Sequence, residues 1–390
     1  MASRAPDPLR VPHPRGPHLG IYIHCLFCRR RCPYCDFNVA MYRPDRLAAF
    51  LEALHAEISL YAREPWVRRV AVPSVFLGGG TPSLLEPNQV AELLGAIRRS
   101  FRVVSDVEIT IEANPEGLTK ERLMGFRAAG VTRLSLGVQS LNDELLKRIG
   151  REHSADEARL AYRSARVAGF DNVSVDLLYA LPGQQLLHWE LALEEVLGWG
   201  PEHLSAYALT VEARTPFAHR PPPDIPPEEE QIAQYCSLLR RAEAAGYEAY
   251  EISNLARPGF RSVHNQLYWR GDEYLGLGPG AHSHLDGVRF ATLRSQIAYR
   301  REVLAGRLPI EWQESLSPGE RLAERIVLGL RLREGIPRYW LEVRFAETPA
   351  RLASFLERSE ALGLVAEEGD RIHLTERGRL LSDALFAELI

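Results

Sequence analysis

The chain has 390 residues, of which 46% are hydrophobic, enough to bury one large core and a smaller one. Its formal net charge of −4 excludes a general attraction to phosphate backbones, so a nucleic-acid partner would need a local basic patch. No apolar run approaches the roughly 18 residues of a membrane span, and residues 1–19, rich in proline, contain no hydrophobic signal segment. We therefore predict a flexible tail over residues 1–19, no nucleic-acid partner, no membrane span and a cytoplasmic protein.

Short apolar runs alternate with amphipathic helical stretches from residue 20 onward. Two of these stretches are residues 44–62 and residues 119–130, and the second opens with Thr119, a favourable helix N-cap. Alternating strands and helices indicate a parallel sheet covered by helices. We predict strands at six apolar runs: GIYIH (20–24), VPSVFLG (72–78), VEITIEA (107–113), RLSLGV (133–138), VSVDLLY (173–179) and LSAYALT (204–210).

Unusual polar residues stand at or near the carboxyl ends of these predicted strands. A cluster of cysteines follows the first strand and GGGTPS (78–83) follows the second, while Glu112, Gln139 and Asp176 lie late in the next three. Barrels of parallel strands carry their active sites at this end. The sequence therefore predicts an incomplete (β/α)6 barrel over residues 20–220, with a doubly wound sheet as the alternative, and a cofactor-binding or catalytic mouth.

The alternation weakens beyond PPPDIPPEEE (221–230), a proline-rich break. A helix is predicted over residues 229–246, and residues 221–315 as a whole are predicted to be a linker and an aromatic, glycine-rich motif region. From residue 316 helices return and a β-hairpin pattern follows, which predicts a winged-helix-like α+β domain over residues 316–390. Its candidate recognition helix, residues 349–363, mixes acidic side chains with arginines, so we expect a cap or a partner surface rather than a DNA reader.

Four of the five cysteines, Cys25, Cys28, Cys32 and Cys35, lie in one short segment. A disulfide framework suits small secreted domains and not a chain of this length. All four thiols could bind structural zinc, although such sites usually join two cysteine pairs from separate loops. Alternatively Cys28, Cys32 and Cys35 could ligate three irons of a 4Fe–4S cluster and leave the fourth iron open for chemistry. The fifth cysteine, Cys236, lies on an apolar helical stripe and is predicted to be in the core.

The C-x3-C-x2-C spacing after the first strand, with Tyr34 before the last cysteine, resembles the radical S-adenosylmethionine (SAM) superfamily. The segments FLGGGTPS, IEANPEG, SLGVQS, DLLYALPGQ and HN..YW extend this likeness to the oxygen-independent coproporphyrinogen III oxidase-like family, and within it to the HemW-type heme chaperones. The resemblance runs from about residue 20 to the end of the chain. It implies a radical SAM partial barrel of α/β class, followed by the winged-helix-like α+β domain.

The resemblance implies one site for a 4Fe–4S cluster and one for SAM, and it assigns no catalytic residue. The cluster would be ligated by Cys28, Cys32 and Cys35. Glycines let the backbone approach SAM closely, carboxylates accept hydrogen bonds from its ribose hydroxyls or ammonium group, and arginine can pair with its carboxylate. The implied SAM residues are Tyr22, Gly79, Gly80, Thr81, Glu112, Gln139, Arg151 and Asp176.

The HNQLYW segment is the implied heme motif, and a histidine is a common axial ligand of heme iron. Its residues are His264, Asn265, Tyr268 and Trp269, with His264 as the predicted ligand. His282 and His284 are the nearest competitors for the iron. Because the motif is far along the chain from the cysteines, we expect the heme site and the cluster site to be separate.

A heme chaperone, which binds heme and transfers it to apo-hemoproteins, is the function that the resemblance implies, with the cluster favouring a homodimer competent for transfer. The alternative is an oxygen-independent coproporphyrinogen III dehydrogenase, a radical SAM decarboxylase of heme biosynthesis. Phe37 argues against it, because that branch has a further cysteine at this position. A third alternative, an RNA-modifying radical enzyme, would need a basic groove that the sequence does not indicate. Cys25 is an addition to the family pattern; it could substitute for a ligand, be oxidised or be inert, and we predict that it is inert.

Overall fold

The computed structural model describes residues 12–343, 355–387 and 389. A curved sheet dominates it, and its central six strands are parallel and hydrogen-bonded to one another in chain order. They confirm the six predicted strands, and the structure is an open, incomplete barrel. These strands are β1 (His18–Cys25), β4 (Ala71–Gly79), β5 (Arg102–Ala113), β6 (Arg133–Gln139), β7 (Val173–Tyr179) and β8 (His203–Ala208). A small parallel pair, β2 (Phe27–Cys28) and β3 (Ala40–Met41), lies in the loop after β1.

Helices follow the central strands and bury the outer face of the sheet in one large hydrophobic core. Thr119 accepts a hydrogen bond from the backbone N–H of Arg122 and so caps α3, as its position in the sequence predicts. The helices of this part are α1 (Pro44–Tyr61), α2 (Pro87–Ser100), α3 (Lys120–Ala129), α4 (Asp143–Arg148), α5 (Ala155–Val167), α6 (Leu186–Trp199), α7 (Pro216–His219) and α8 (Glu228–Ala244), with a 3-10 turn at Pro82–Leu84.

Residues 221–315 extend both edges of the same sheet rather than only linking two domains. On the β8 edge, β10 and β9 add antiparallel strands; on the β1 edge, β11 pairs in parallel and β12, β13 and β14 follow antiparallel. These strands are β9 (Glu248–Ala249), β10 (Asn254–Ala256), β11 (Tyr274–Leu277), β12 (His282–Leu285), β13 (Val288–Thr292) and β14 (Ile310–Ser315), accompanied by helices α9 (Val263–Arg270) and α10 (Gln296–Leu304).

Helix α9, which carries the HNQLYW segment, packs against the inner face of the barrel. The Glu108 carboxylate on β5 accepts hydrogen bonds from the backbone N–H groups of Val263 (3.2 Å) and His264 (3.2 Å) and from the Ser262 hydroxyl (3.5 Å). A carboxylate at a helix N-terminus satisfies free N–H groups and interacts favourably with the helix dipole. Glu108 therefore anchors α9 to the barrel across 155 positions of sequence.

The C-terminal part forms its own hydrophobic core around a three-stranded antiparallel sheet, in agreement with the predicted winged-helix-like α+β domain. Residues 349–354 of the candidate recognition helix lie outside the described residues. The elements are α11 (Pro318–Arg331), β15 (Ile336–Pro337), a 3-10 turn at Arg338–Leu341, α12 (Phe355–Ala361), β16 (Val365–Glu368), β17 (Arg371–Leu374), α13 (Glu376–Leu380) and α14 (Ser382–Ala387). Among the described residues, no helix combines the length and apolar character needed to cross a bilayer.

The prediction that Cys236 belongs to the core is wrong, because its side chain is exposed. On α8 the buried face runs through Gln234, Tyr235, Leu238 and Ala242. Successive residues of a helix are rotated by about 100°, so Cys236 falls outside this stripe. The apolar neighbours in the sequence suggested burial, but the helical period directs this thiol to solvent.

Candidate functional site

A cavity of about 560 Å³ opens at the carboxyl ends of the central strands. It gathers the three cysteines and all eight residues implied for SAM, although they come from six strands and the loops between them. These lining residues are Tyr22, Cys28, Cys32, Cys35, Gly79, Gly80, Thr81, Glu112, Gln139, Arg151 and Asp176. The predicted mouth is therefore present at the expected end of the sheet.

The cysteine loop after β1 places three thiols, those of Cys28, Cys32 and Cys35, at the cavity. Cys28 accepts a hydrogen bond from the Thr81 hydroxyl (3.6 Å), and the backbone N–H of Cys35 donates to the carbonyl of Cys32 (3.2 Å), which closes the turn. Burial raises the pKa of the Cys28 thiol, the hydrogen bond from Thr81 opposes the rise, and the Cys35 and Cys32 thiols add to it, as expected for thiols that lie near one another; the resulting pKa is about 11.

Cys25 differs because it belongs to strand β1 and lies on the face opposite Tyr22. Its side chain is buried in the hydrophobic core, and this burial raises the pKa of its thiol. Three thiols at one cavity and a fourth in the core suit a cluster with three protein ligands better than a four-thiolate zinc shell. The donor set of this cavity therefore fits a 4Fe–4S group.

The glycine turn after β4 brings backbone to the cavity wall. Gly79 has a φ of 103°, which glycine adopts readily, and its N–H donates to the Glu112 carboxylate at 3.0 Å. The N–H groups of Gly80 and Thr81 donate to the carbonyls of Cys25 and Phe27 at 2.8 Å. A Cβ on Gly80 would lie 2.7 Å from both of these carbonyl oxygens, so this position requires glycine.

Two carboxylates, Glu112 and Asp176, face the cavity from neighbouring parts of the barrel. Burial raises the pKa of Glu112, the nearby Asp176 carboxylate adds to the rise, and the hydrogen bond from the Gly79 N–H opposes it, so that this pKa is about 8. Burial also raises the pKa of Asp176, although its carboxylate accepts hydrogen bonds from the hydroxyls of Ser135 (2.8 Å) and Ser174 (3.1 Å). The site thus holds one carboxyl group that titrates close to neutral pH.

We expect the affinity for SAM to rise about ten-fold between pH 7 and pH 9, because ionised Glu112 can accept from the ribose hydroxyls and attract the sulfonium. With a pKa of about 8, this carboxyl is mostly protonated at the lower pH and mostly ionised at the higher. Equilibrium dialysis of anaerobic, cluster-loaded protein measures the profile. E112Q should flatten it, whereas E92Q, at an exposed position on α2, should not. An unchanged profile in E112Q would contradict this assignment.

Arg151 is positioned by neighbours that the sequence analysis did not single out. Its guanidinium donates to the side-chain oxygen of Asn114 (2.7 Å) and to the carbonyl of Gly137 (2.9 Å). Asn114 in turn donates to Glu116 (2.8 Å), whose other carboxylate oxygen lies 3.3 Å from Nδ1 of His153. Asn114 is two positions beyond Glu112, just past the end of β5, so its side chain lies on the same inward face. The alternation of side chains along a strand could therefore have identified it in the IEANPEG segment.

Arg133 is a further residue that sequence reasoning missed. It begins β6, its side chain is 2% exposed, and it lines the cavity. Its positive charge lowers the pKa values of both Glu112 and Asp176. The sequence does contain an indication of this role. Arg133 is a charged residue at the start of the apolar run RLSLGV, and it is two positions from the inward-facing Ser135, so its side chain lies on the same face of the strand.

Gln139, at the other end of β6, has a φ of 64°, a left-handed conformation that is uncommon for a residue other than glycine. The register between β6 and β7 shifts between Gly137 and Gln139. Such local strain is found at functional sites, where the surrounding structure maintains it. Here it accompanies a side-chain amide that lines the cavity.

The HNQLYW segment lies at the same cavity, so the expectation that this motif is separate from the cluster residues is wrong. His264, Asn265 and Tyr268 line the cavity together with the cysteines. The His264 ring is fully buried, stacks on Phe76 at 5.1 Å, and uses Nδ1 toward the Ser74 hydroxyl (2.7 Å) and Nε2 toward the Tyr268 hydroxyl (2.9 Å). Burial lowers the pKa of His264 to about 3, so the imidazole is neutral at physiological pH.

Trp269 is turned toward the C-terminal domain instead. The guanidinium of Arg331 on α11 lies 4.5 Å from the centre of its ring, a cation–π contact. Of the other candidate ligands, His282 is exposed on β12 and its ring lies 5.7 Å from Trp312. His284 is partly buried and its Nε2 has no hydrogen-bond partner within the described residues.

An open barrel of parallel strands, with three thiols in the loop after its first strand and a glycine turn after the next, defines a radical SAM protein. The family described as the Radical SAM superfamily matches residues 22–196, and the one described as the HemN C-terminal domain matches residues 316–381. Membership of the radical SAM superfamily implies a 4Fe–4S cluster and SAM.

Similarity to curated proteins extends over almost the whole chain. The chain is 34% identical to "Heme chaperone HemW" of Bacillus subtilis strain 168, over 95% of this chain and 98% of that protein. It is 38% identical to "Heme chaperone HemW" of Mycobacterium tuberculosis strain CDC 1551, over 96% of this chain and 95% of that protein. The chain therefore belongs to the HemW family of radical SAM proteins.

A solved structure shares the fold. Coproporphyrinogen III oxidase (HemN) from Escherichia coli superposes with a TM-score of 0.82, covering 97% of this chain and 91% of that one at 24% identity. The likeness includes both the barrel and the C-terminal domain. At this identity it establishes the architecture, and the two chains need not share a reaction.

Proposed function

We propose that this protein is a heme chaperone that binds heme and transfers it to apo-hemoproteins. The observation that carries the proposal is the similarity to the two HemW heme chaperones, which spans 95–96% of this chain and 95–98% of theirs. The match therefore includes the segments of this chain that form the barrel, the HNQLYW helix and most of the C-terminal domain.

The proposal includes the residues that would hold the cluster and SAM. Cys28, Cys32 and Cys35 would ligate three irons, and the remaining iron would be open to the amino and carboxylate groups of SAM. When bound, the cluster supplies one electron for SAM cleavage. The chain contributes the backbone of the glycine turn, the hydrogen-bond acceptors Glu112 and Asp176, and an arginine held in place by Asn114.

Heme would contact the part of the HNQLYW segment that lines the cavity. His264 supports this assignment because burial keeps its imidazole in the neutral form, which is the form that binds iron. To ligate heme, Nε2 would exchange its hydrogen bond with the Tyr268 hydroxyl for a bond to iron. Trp269 would contribute through α9 packing against Arg331 rather than by covering the macrocycle.

The competing function is oxidative decarboxylation of coproporphyrinogen III. The shared fold with HemN favours it, but Phe37 stands where that branch has a further cysteine, and its side chain is 57% exposed at the rim of the cavity. A phenyl group cannot ligate a metal or donate a proton, so a step that requires a thiol at this position cannot occur.

We expect the purified, cluster-loaded protein to bind heme and to convert little or no coproporphyrinogen III when both are assayed side by side with SAM and a reductant. Heme binding is measured by the Soret absorbance, transfer by the gain of the spectrum of a hemoprotein after addition of its apo form, and decarboxylation by chromatography of the porphyrins. Robust, SAM-dependent formation of protoporphyrinogen IX would overturn the proposal, as would the absence of heme binding.

A further inference from the structure

The cysteine loop carries three consecutive arginines, Arg29, Arg30 and Arg31, between Cys28 and Cys32. Their side chains are exposed and all three line the cavity. Arg31 donates to the carbonyl of Cys35 at 3.3 Å. In the part of the chain that the structure describes, no carboxylate lies within 4.0 Å of a nitrogen of these three guanidinium groups. Glu152, which is exposed and lines the same cavity, and Asp36 in the same loop offset part of this charge, and the three arginines still leave the rim with a local excess of positive charge on a chain that is acidic overall.

An apolar surface adjoins these arginines. Phe37 and Val39 line the same rim, and Phe37 is 57% exposed although it is a large hydrophobic residue. Deeper in the cavity, Leu178, Phe76 and Tyr207 continue the apolar wall. Covering an exposed aromatic ring is favourable, and contiguous exposed apolar surface often marks a binding site.

A ligand that satisfies both features is mostly apolar and carries at least one anionic group at its edge. SAM matches the rim less well, because it has one carboxylate for three arginines, and its sulfonium and ammonium groups carry positive charge. Heme does match, since its macrocycle is flat and apolar and its two propionates project from one edge. Arginine is the side chain best suited to hold such carboxylates.

We propose that Arg29, Arg30 and Arg31 bind the propionates of heme at the rim while the macrocycle covers Phe37. This inference rests on the proposed chaperone function and specifies which residues receive the heme. It does not depend on which residue ligates the iron.

The size of the cavity is consistent with a rim site. A volume of about 560 Å³ lies in the middle of the range of roughly 300–1,000 Å³ that is typical of pockets for one small molecule. Heme bound at the rim keeps one edge in solvent. Its ion pairs are then exposed and screened by salt, so they orient the ligand without preventing its release to an acceptor.

The test is a double-mutant cycle between the protein and the ligand. Binding of heme and of heme dimethyl ester, in which both propionates are neutral, is measured by Soret titration in one detergent-containing buffer. The proteins are the cluster-loaded wild type and the triple variant R29Q/R30Q/R31Q. We expect esterification to weaken binding to the wild type about ten-fold, and the triple variant to bind heme about ten-fold more weakly and to respond little to esterification.

A matched control, R63Q/R69Q/R98Q, removes three exposed arginines that lie away from the cavity and should behave as the wild type. Iron content and thermal unfolding show whether the triple rim variant retains its cluster and fold; if it does not, the single variants R29Q, R30Q and R31Q replace it in the cycle. Equal effects of esterification on wild type and rim variants would overturn the rim assignment while leaving the chaperone function intact. A wild type that binds neither ligand would overturn the chaperone function itself, and the rim assignment with it.

Discussion

Replacement of Cys28, Cys32 or Cys35 by alanine is expected to abolish the 4Fe–4S cluster, whereas C25A should leave it intact. The first three thiols face one cavity, and losing any of them leaves an iron without its thiolate. The Cys25 side chain instead packs in the core on the opposite face of β1. Iron and sulfide content after anaerobic reconstitution, together with the visible absorbance, measures the outcome.

C236A is the matched control, because it removes an exposed thiol far along the chain from the loop. It should retain full cluster content. A small loss of thermal stability in C25A would be consistent with its buried position, since alanine leaves a space where the thiol packed. Loss of the cluster in C25A together with its retention in C28A would show that the ligand set is wrong.

H264A is expected to reduce heme affinity at least ten-fold and to leave the cluster's absorbance unchanged. Alanine cannot supply the nitrogen that would bind iron, and the ring is held in the cavity by the Ser74 and Tyr268 hydroxyls and by stacking on Phe76. Because the pKa of His264 is lowered to about 3, heme binding should not weaken through protonation of this imidazole as the pH falls from 8 to 6. Soret titrations at both pH values measure these effects.

Y268F separates ligation from a merely structural role of His264. It removes the hydroxyl that occupies Nε2 while keeping the aromatic ring, so heme should bind as tightly as in the wild type or more tightly. H282A and H284A, on β12, test the two competing ligands. Normal heme spectra in H264A, with loss in H282A or H284A, would refute the assignment of His264.

The parallel strands and the cavity could be predicted because local sequence determines both. Each central strand is a short apolar run, and the polar residues at its end, such as Glu112 and Gln139, must meet at one edge of a parallel sheet. Thr119 could also be predicted as a helix cap from local sequence, because it directly precedes an amphipathic helical stretch. Residue identity and period were sufficient for these features, and the resemblance then indicated which cofactors such a mouth would bind.

The position of α9 could not be predicted, because it depends on contacts between residues far apart in the chain. Glu108 and His264 are separated by 156 positions, and neither sequence segment indicates that they are hydrogen-bonded. For the same reason the HNQLYW segment was expected to form a separate site. The rim arginines were missed for another reason: they lie between the cysteines, and the motif is defined by the spacing of the cysteines and not by the residues between them.

The common cavity has a thermodynamic consequence for the two ligands that this family implies. Glu112 and Glu108 project from the same face of one strand, the former toward the residues implied for SAM and the latter to the N-terminus of the helix that carries His264. If binding of one ligand displaces β5, the residues at the site of the other ligand would therefore move as well. Linkage requires such an effect to be reciprocal: if SAM changes the affinity for heme by some factor, heme changes the affinity for SAM by the same factor. Loading and release of cargo would then be governed by cofactor occupancy through equilibrium alone, without any need for SAM to be consumed.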